Sequence, residues 1–153
     1  MVRPVVSAFQ LPWAQGLDFA ASVRVDDLIV VSGQTGHRAD GSLPADFETQ
    51  LRQAFENLDA VLHAEGGSLD SIVQLTSYFA RAEDYPVFRR VRPEVLKAPF
   101  PASTGVVVGL LIPGMLIELE AIAVRGEGRV AATNSVAGGG PVAGDDRVAG
   151  GAA

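Results

Sequence analysis

Cysteine is absent from this chain of 153 residues, and the only histidines are His37 and His63. Without cysteine there is no disulfide, no thiolate metal site and no cysteine nucleophile. The two histidines do not form a helical metal-binding pair, and neither belongs to a cluster of carboxylates. No glycine-rich segment continues into the Lys-Ser/Thr pair of a phosphate-binding loop. We therefore expect no metal and no cofactor.

The chain also lacks a net positive charge and long apolar runs. The net charge of −6 opposes general nucleic-acid binding, which needs clusters of Lys and Arg to meet the phosphates. No apolar run approaches the roughly 18 residues of a membrane span, and the N-terminus lacks the apolar core of a signal peptide. We expect a cytoplasmic protein with neither a nucleic-acid nor a membrane partner.

The composition changes after Arg125. Residues 126–153 are mostly Gly, Ala, Val, Ser and Asp without any period, and such a segment buries too little apolar surface to offset its chain entropy. We expect one domain over residues 1–125 and a disordered tail over residues 126–153. The alternative is that the tail docks as an arm on a neighbouring subunit.

The first half of the domain predicts a hairpin followed by a helix. The β-rich segments Ser22–Val25 and Leu28–Gln34 flank a two-residue turn. Asp46 is a candidate N-cap, and apolar residues at helical spacing follow it. The pair Gly66-Gly67 then supplies the left-handed conformation that ends a helix.

The second half predicts a strand, a second helix and two more strands. Ile72–Phe79 is the strand, and Asp84 is the expected cap of the helix, with a proline in its first turn. Pro93 should end or kink this helix. The last strands, Thr104–Leu111 and Met115–Arg125, are joined by a Pro-Gly turn.

This order predicts an α+β fold with two layers, in which a mixed sheet carries both helices on one face. Val106–Val108 and Leu116-Ile117 are apolar on both faces of their strands, which indicates that the second face is also covered. Because no helix remains to cover it, we expect self-association into a closed ring.

The last predicted strand contains two acidic residues, Glu118 and Glu120. Burial of an unpaired carboxylate costs several kcal/mol, and alternation directs both side chains to the same face. Glu118 is therefore either a structural carboxylate, paired to Arg or to backbone amides at an interface, or a general acid or base with a raised pKa.

Five segments occur in the order and spacing of one family: Ser32-Gly33-Gln34, Asp46 through Leu58, Pro101-Ala102-Ser103-Thr104, Pro113-Gly114 and Ile117 through Ala123. Over about residues 13–125 the chain resembles the Rid/YjgF family, the reactive intermediate deaminases once called L-PSP endoribonucleases. The resemblance implies a chorismate-mutase-like fold and a homotrimer. It also implies three clefts between subunits, where small metabolites bind.

The resemblance further implies hydrolysis of enamines and imines to ketones and ammonia, with an arginine that clamps the substrate carboxylate. Ser103 stands where that arginine belongs. A neutral hydroxyl cannot replace a charged fork of donors, so the sequence predicts a substrate that depends less on a carboxylate. Arg89, in place of a common Asn, is a candidate for the lost charge, unless it belongs to a solvated face with Arg90 and Arg92.

The remaining site residues also follow from the resemblance. Glu118 matches the family glutamate that positions or activates water, and Gly33 and Gly105 present their backbone to the ligand. Trp13 takes the place of an aromatic residue that closes the cleft. Ser32 and Ser103 are expected to bind the ligand by hydrogen bonds. A Ser–His triad is not expected, because no third orienting group is visible.

Two functions stay open. The first is an enzyme that acts on a reactive imine, enamine or carbonyl metabolite by hydrolysis, tautomerisation or dehydration, with Glu118 handling water or a proton. The second is a binding or regulatory module with the same clefts and no turnover, which the missing arginine favours. Ribonuclease activity follows only from the older family name, and the acidic charge opposes it.

Overall fold

The computed structural model describes residues 3–126 and 128–130. These residues form one sheet of six strands: β1 Val5–Val6, β2 Ser22–Val25, β3 Leu28–Thr35, β4 Ile72–Phe79, β5 Ala102–Val107 and β6 Ile117–Val124. Their α-helices are α1, Phe47–Ala64, and α2, Tyr85–Val95. The sheet order is β1-β2-β3-β6-β4-β5, with β4 and β5 parallel and the other pairs antiparallel. The predicted α+β fold with a mixed sheet is confirmed.

Helix α1 begins and ends as the sequence predicts. The Asp46 carboxylate accepts the amide of Thr49 at 2.9 Å, and this satisfies one of the free donors of the first turn. Gly66 has a φ of +81°, a conformation that costs glycine nothing. The apolar stripe of the helix is buried, including Leu51, Phe55 and Leu58, and each such side chain stabilises the fold by about 1.5–3 kcal/mol.

Alternating side chains of β6 give the sheet a buried face and an open face. Ile117, Leu119, Ala121 and Ala123 are buried in one core with the apolar stripe of α1 and with Phe88 and Val91 of α2. The opposite face carries apolar side chains that stay about 40% exposed, namely Leu28, Val30, Val73 and Val124. The sequence predicts a partly apolar second face that self-association covers; in the single chain this face is partly apolar and open.

Asp84 does not cap α2, which corrects the prediction. Its carboxylate instead receives two hydrogen bonds from the guanidinium of Arg81, at 2.9 and 3.0 Å, and makes no cap hydrogen bond. A charged, bidentate partner binds a carboxylate more strongly than a backbone amide does. The expected proline in the first turn, Pro86, is present.

Pro93 does not end α2 either, because the helix continues to Val95. A proline inside a helix removes one hydrogen bond, here to the carbonyl of Arg89. Both residues lie on the exposed side of the helix, where water can hydrogen-bond that carbonyl. The buried side of α2, with Phe88 and Val91, is unaffected by the missing bond.

The last strands are shorter than predicted. β5 covers Ala102–Val107 rather than Thr104–Leu111, and β6 covers Ile117–Val124 rather than Met115–Arg125. The Pro-Gly turn between them is confirmed, since the Met115 amide donates to the carbonyl of Ile112 at 3.2 Å. The short strand β1 was not predicted, because two exposed valines carry no period.

The structure also describes Gly126 and Gly128–Val130, at the start of the segment predicted to be a tail. Arg129 lies against the domain and donates five hydrogen bonds to main-chain carbonyls, at Leu69, Asp70, Ile72, Lys97 and Pro99. The rest of that prediction, residues 127 and 131–153, lies outside the described residues.

Candidate active site

Glu118 and Glu120 extend from β6 onto the open face of the sheet. On β4 they lie beside Tyr78 and Thr76 respectively, and both glutamates are half-buried. The intervening Leu119 faces the core. The alternation read from the sequence is therefore confirmed for both carboxylates.

A bulge in β3 brings Gly33 next to Glu118. The pairing of β3 with β6 shifts register between Val31 and Gln34, and an extra residue in a strand redirects its neighbours. A Cβ atom on Gly33 would overlap Oε1 of Glu118 and lie 2.7 Å from its Cδ. Only glycine leaves room for the carboxylate at this position, and the backbone there faces it directly.

The surroundings of Glu118 disfavour its negative charge. Burial raises the pKa of the Glu118 carboxyl above its ordinary value of 4.5, and the neighbouring charge of Glu120 raises it further. Among the described residues no Lys, Arg or His lies within 4.0 Å of this carboxylate. Within the described residues of one chain, Glu118 therefore combines a raised pKa with the lack of a cationic partner.

Both glutamates line an open cleft of about 230 Å³. Its other lining residues are Gly33, Tyr78 and the segment Val108–Leu111. The Tyr78 hydroxyl donates a hydrogen bond to Oε1 of Glu120 at 2.8 Å. This bond, together with burial and the two nearby carboxylates, raises the pKa of Tyr78. Glu120 is therefore held by a partner, whereas Glu118 faces the cleft.

Sequence reasoning missed Tyr78. A signal was available, because Gln74, Thr76 and Tyr78 alternate as polar residues along one face of β4. Alternating polar residues on a strand beside two glutamates are typical of a sheet face that contacts solvent or a ligand.

Trp13 lies on the other side of Gly33, where both residues line a small hollow. Its ring stacks on His37, with centroids 4.8 Å apart, and its indole nitrogen is buried without a hydrogen-bond partner in the described structure. Nδ1 of His37 is 2.6 Å from the Thr35 hydroxyl, and burial lowers the His37 pKa. His37 therefore packs against the Trp13 ring as a neutral imidazole.

The hydroxyl of Ser32 is engaged within the protomer. It donates to the carbonyl of Ala20 at 2.7 Å, and this bond ties β3 to the chain that precedes β2. In this arrangement the neighbouring Gly33, rather than the Ser32 side chain, faces Glu118.

Ser103 and Gly105 lie apart from Glu118. On edge strand β5 they are beside Leu75 and Ser77 of β4, so they share the face opposite to the two glutamates. Arg89 is exposed on α2 and makes no side-chain hydrogen bond or ion pair with the described residues. Within one protomer the predicted site residues thus form two groups, one around Glu118 on the open face and one on β5 and α2.

The described residues contain no group of three or more His, Asp or Glu side chains that could hold a metal ion. Among the helices that the structure describes, none combines the length and the apolar character that a membrane crossing requires.

The family model described as Endoribonuclease L-PSP matches residues 14–125. The RutC family protein YjgH of Escherichia coli is 39% identical over 107 residues, which cover 69% of this chain and 81% of that protein. The 2-iminobutanoate/2-iminopropanoate deaminase of Bos taurus is 33% identical over 128 residues, covering 82% and 93% of the two chains.

Solved structures give the same result. RidA from the Antarctic bacterium Psychrobacter sp. PAMC 21119 superimposes with a TM-score of 0.72 at 30% identity, covering 78% of this chain and 97% of that one. Protein YJGH gives a TM-score of 0.70 at 35% identity, with coverages of 80% and 95%. Sequence motifs, family model and fold agree: this chain belongs to the Rid/YjgF family.

Proposed function

We propose that this protein is an enzyme that hydrolyses a reactive imine or enamine, or that tautomerises or dehydrates a related carbonyl metabolite. The observation that carries the proposal is the placement of Glu118, half-buried beside Gly33 in an open cleft, with a raised pKa and no described cation partner. Relatives named 2-iminobutanoate/2-iminopropanoate deaminase support the same class of chemistry.

In hydrolysis, water adds across the C=N bond, and the resulting carbinolamine releases ammonia and leaves a ketone. Glu118 accepts a proton from the attacking water and returns it to the leaving nitrogen. A carboxyl group with a raised pKa suits both steps, because its two protonation states are closer in free energy near neutral pH. The backbone of Gly33 lies beside this carboxylate, and the proposal assigns its amide to a polarised oxygen of the substrate.

A homotrimer is part of the proposal. Ser103 and Gly105 lie on the face opposite to Glu118, so one protomer does not bring them together. Strand β5 is an edge strand whose residues are all exposed, and the open face carries exposed valines and leucine. We propose that a ring of three copies covers such surfaces and that each cleft combines Glu118 of one copy with β5 of the next.

The alternative is a metabolite-binding module without turnover. It is favoured by Ser103, which offers no charge to a substrate. The test uses 2-imino acids generated in solution by an amino-acid oxidase, with ammonia release measured with and without the protein. We expect the protein to accelerate the release. No acceleration, together with a ligand-dependent rise in melting temperature, would overturn the enzymatic proposal and support the binding module.

A further inference from the structure

The hollow beside Trp13 lies between the bulged part of β3 and the chain that precedes β2. Its volume is about 10 Å³, which is the space that a single water molecule needs. Gly33 borders both this hollow and the cleft of Glu118. The apolar part of the lining is formed by Leu11, Ala14, Phe19 and Ala21.

Two buried polar atoms at this hollow have no hydrogen-bond partner among the described residues. They are Nε1 of Trp13 and Oε1 of Gln34, and both residues line the hollow. Gln34 is only 3% exposed, so bulk solvent does not reach its amide. Unpaired buried polar atoms are rare in folded proteins, because each one costs free energy.

The two atoms have opposite hydrogen-bonding roles. The indole nitrogen of Trp13 can only donate. The other end of the Gln34 amide fixes its orientation, since Nε2 donates to the carbonyl of Ser32 at 3.0 Å. Oε1 of Gln34 is therefore an acceptor that is directed away from that carbonyl. A molecule between the two atoms has to accept from the indole and donate to the amide, and water does both.

We infer that one water molecule is bound in this hollow and bridges Trp13 and Gln34. It accepts a hydrogen bond from the indole N–H and donates one to Oε1 of the amide. Buried waters that join otherwise unpaired polar groups are part of a protein's structure and are costly to remove. The inference assigns the N–H of Trp13 to its own protomer, so a ligand in the cleft meets the ring and not its donor.

The bridge supports the bulge of β3. Stacking on His37 holds the ring of Trp13, and Gln34 directly follows Gly33 at the end of the register shift. The water thus connects a fixed ring to the neighbour of the residue that contacts Glu118. Trp13 and Gln34 are therefore positioning residues. That role in turnover rests on the proposed function, whereas the water site does not.

The test measures nuclear Overhauser effects between water and the indole N–H in the ¹⁵N-labelled parent protein. Trp13 is the only tryptophan of the chain, so its indole signal is identified directly. A bound water gives laboratory-frame and rotating-frame cross-peaks of opposite sign, whereas exchange of the indole proton with solvent gives the same sign in both. We expect opposite signs. Absence of a cross-peak, or exchange alone, would overturn the inference.

Two variants identify the second partner of the water. Gln34→Leu keeps the approximate size of the side chain and removes the acceptor, so we expect the water cross-peak to disappear. Gln10→Leu is the matched control, because Gln10 lines the same hollow but contributes no buried unpaired atom to it. A cross-peak that persists in folded Gln34→Leu would refute the bridge. Should Gln34→Leu fail to fold, the parent spectrum decides alone.

Trp13→Phe tests the positioning role in the ammonia-release assay, because it keeps an aromatic ring and removes the N–H donor. We expect kcat to fall about threefold or more with KM unchanged, since a less firmly held Gly33 misplaces the Glu118 carboxylate. An unchanged kcat, with or without a raised KM, would overturn this role. Lack of turnover in the parent would refute the proposed function but not the water site, which the indole spectrum tests by itself.

Discussion

Gly33 lies so close to Glu118 that a Cβ atom on residue 33 would overlap the carboxylate. The bulge in β3 creates this contact, and the lack of a side chain allows it. The position of the candidate catalytic carboxylate is therefore coupled to the residue that faces it from the neighbouring strand.

This contact predicts the effect of Gly33→Ala. The added methyl group displaces the Glu118 carboxylate, so we expect turnover of the imine substrate to fall at least about tenfold, as is usual when a reacting group is misplaced by an ångström or less. The fold should persist, because the end of the Glu118 side chain can rotate away. Activity and melting temperature are measured together.

Gly109→Ala is the matched control. Gly109 lines the same cleft, but no atom lies within 4 Å of a Cβ built on it. A loss of activity in Gly109→Ala equal to that in Gly33→Ala would contradict the proposed contact.

The raised pKa of Glu118 predicts how its stability contribution depends on pH. Between the ordinary value of 4.5 and the raised value, the folded protein binds more protons at this site than the unfolded chain does. The site's contribution to the free energy of unfolding therefore falls as pH rises through that interval. We expect Glu118→Gln to be more stable relative to the parent at pH of about 8 than at pH of about 4. Urea denaturation of both proteins measures the difference, and a difference independent of pH would show that the Glu118 pKa is not raised.

Tyr78 and Glu120 give a spectroscopic prediction. The Tyr78 hydroxyl donates to Glu120, and this bond raises the pKa of the phenol above its ordinary value of 10.0. The chain has only two tyrosines, so Tyr85→Phe leaves Tyr78 as the single phenol. Its absorbance titration should lie above the ordinary range, and adding Glu120→Gln should lower its midpoint. An unchanged midpoint would show that this hydrogen bond is absent in solution.

Arg129 predicts that the chain beyond Arg125 stabilises the domain. Its guanidinium donates to five main-chain carbonyls in two separate segments, one at the start of β4 and one before β5. Loss of these charged hydrogen bonds in Arg129→Ala should lower the free energy of unfolding by about 2 kcal/mol or more. Arg125→Ala is the control, since Arg125 is exposed. Equal effects in urea denaturation would refute this role.

The sequence predicts most of the fold because its signals are local. The Asp46 cap, the left-handed Gly66 and the alternation of Glu118 with Leu119 each depend on neighbours within a few residues. Two predictions about α2 fail because contacts outside the local sequence decide them. The carboxylate of Asp84 binds Arg81 instead of capping the helix. Pro93 does not end the helix, because the carbonyl that loses its hydrogen bond is exposed.

The site is only partly predictable, since its contacts join residues that are distant in sequence. Alternation places Glu118 and Glu120 on one face, but only the structure shows that Tyr78 holds Glu120. Likewise, Arg89 and Arg92 look equivalent on a helix rich in arginine. Only the packing of Phe88 and Phe100 shows that Arg92 is the residue directed toward Ser103.

The most direct test compares Glu118→Gln with Glu120→Gln in the ammonia-release assay as a function of pH. We expect the parent kcat/KM to rise with pH through an apparent pKa above 4.5, as the Glu118 carboxylate forms. Glu120→Gln should retain substantial turnover and this pH-dependent limb. Glu118→Gln should lose both, and full turnover in Glu118→Gln would contradict the account.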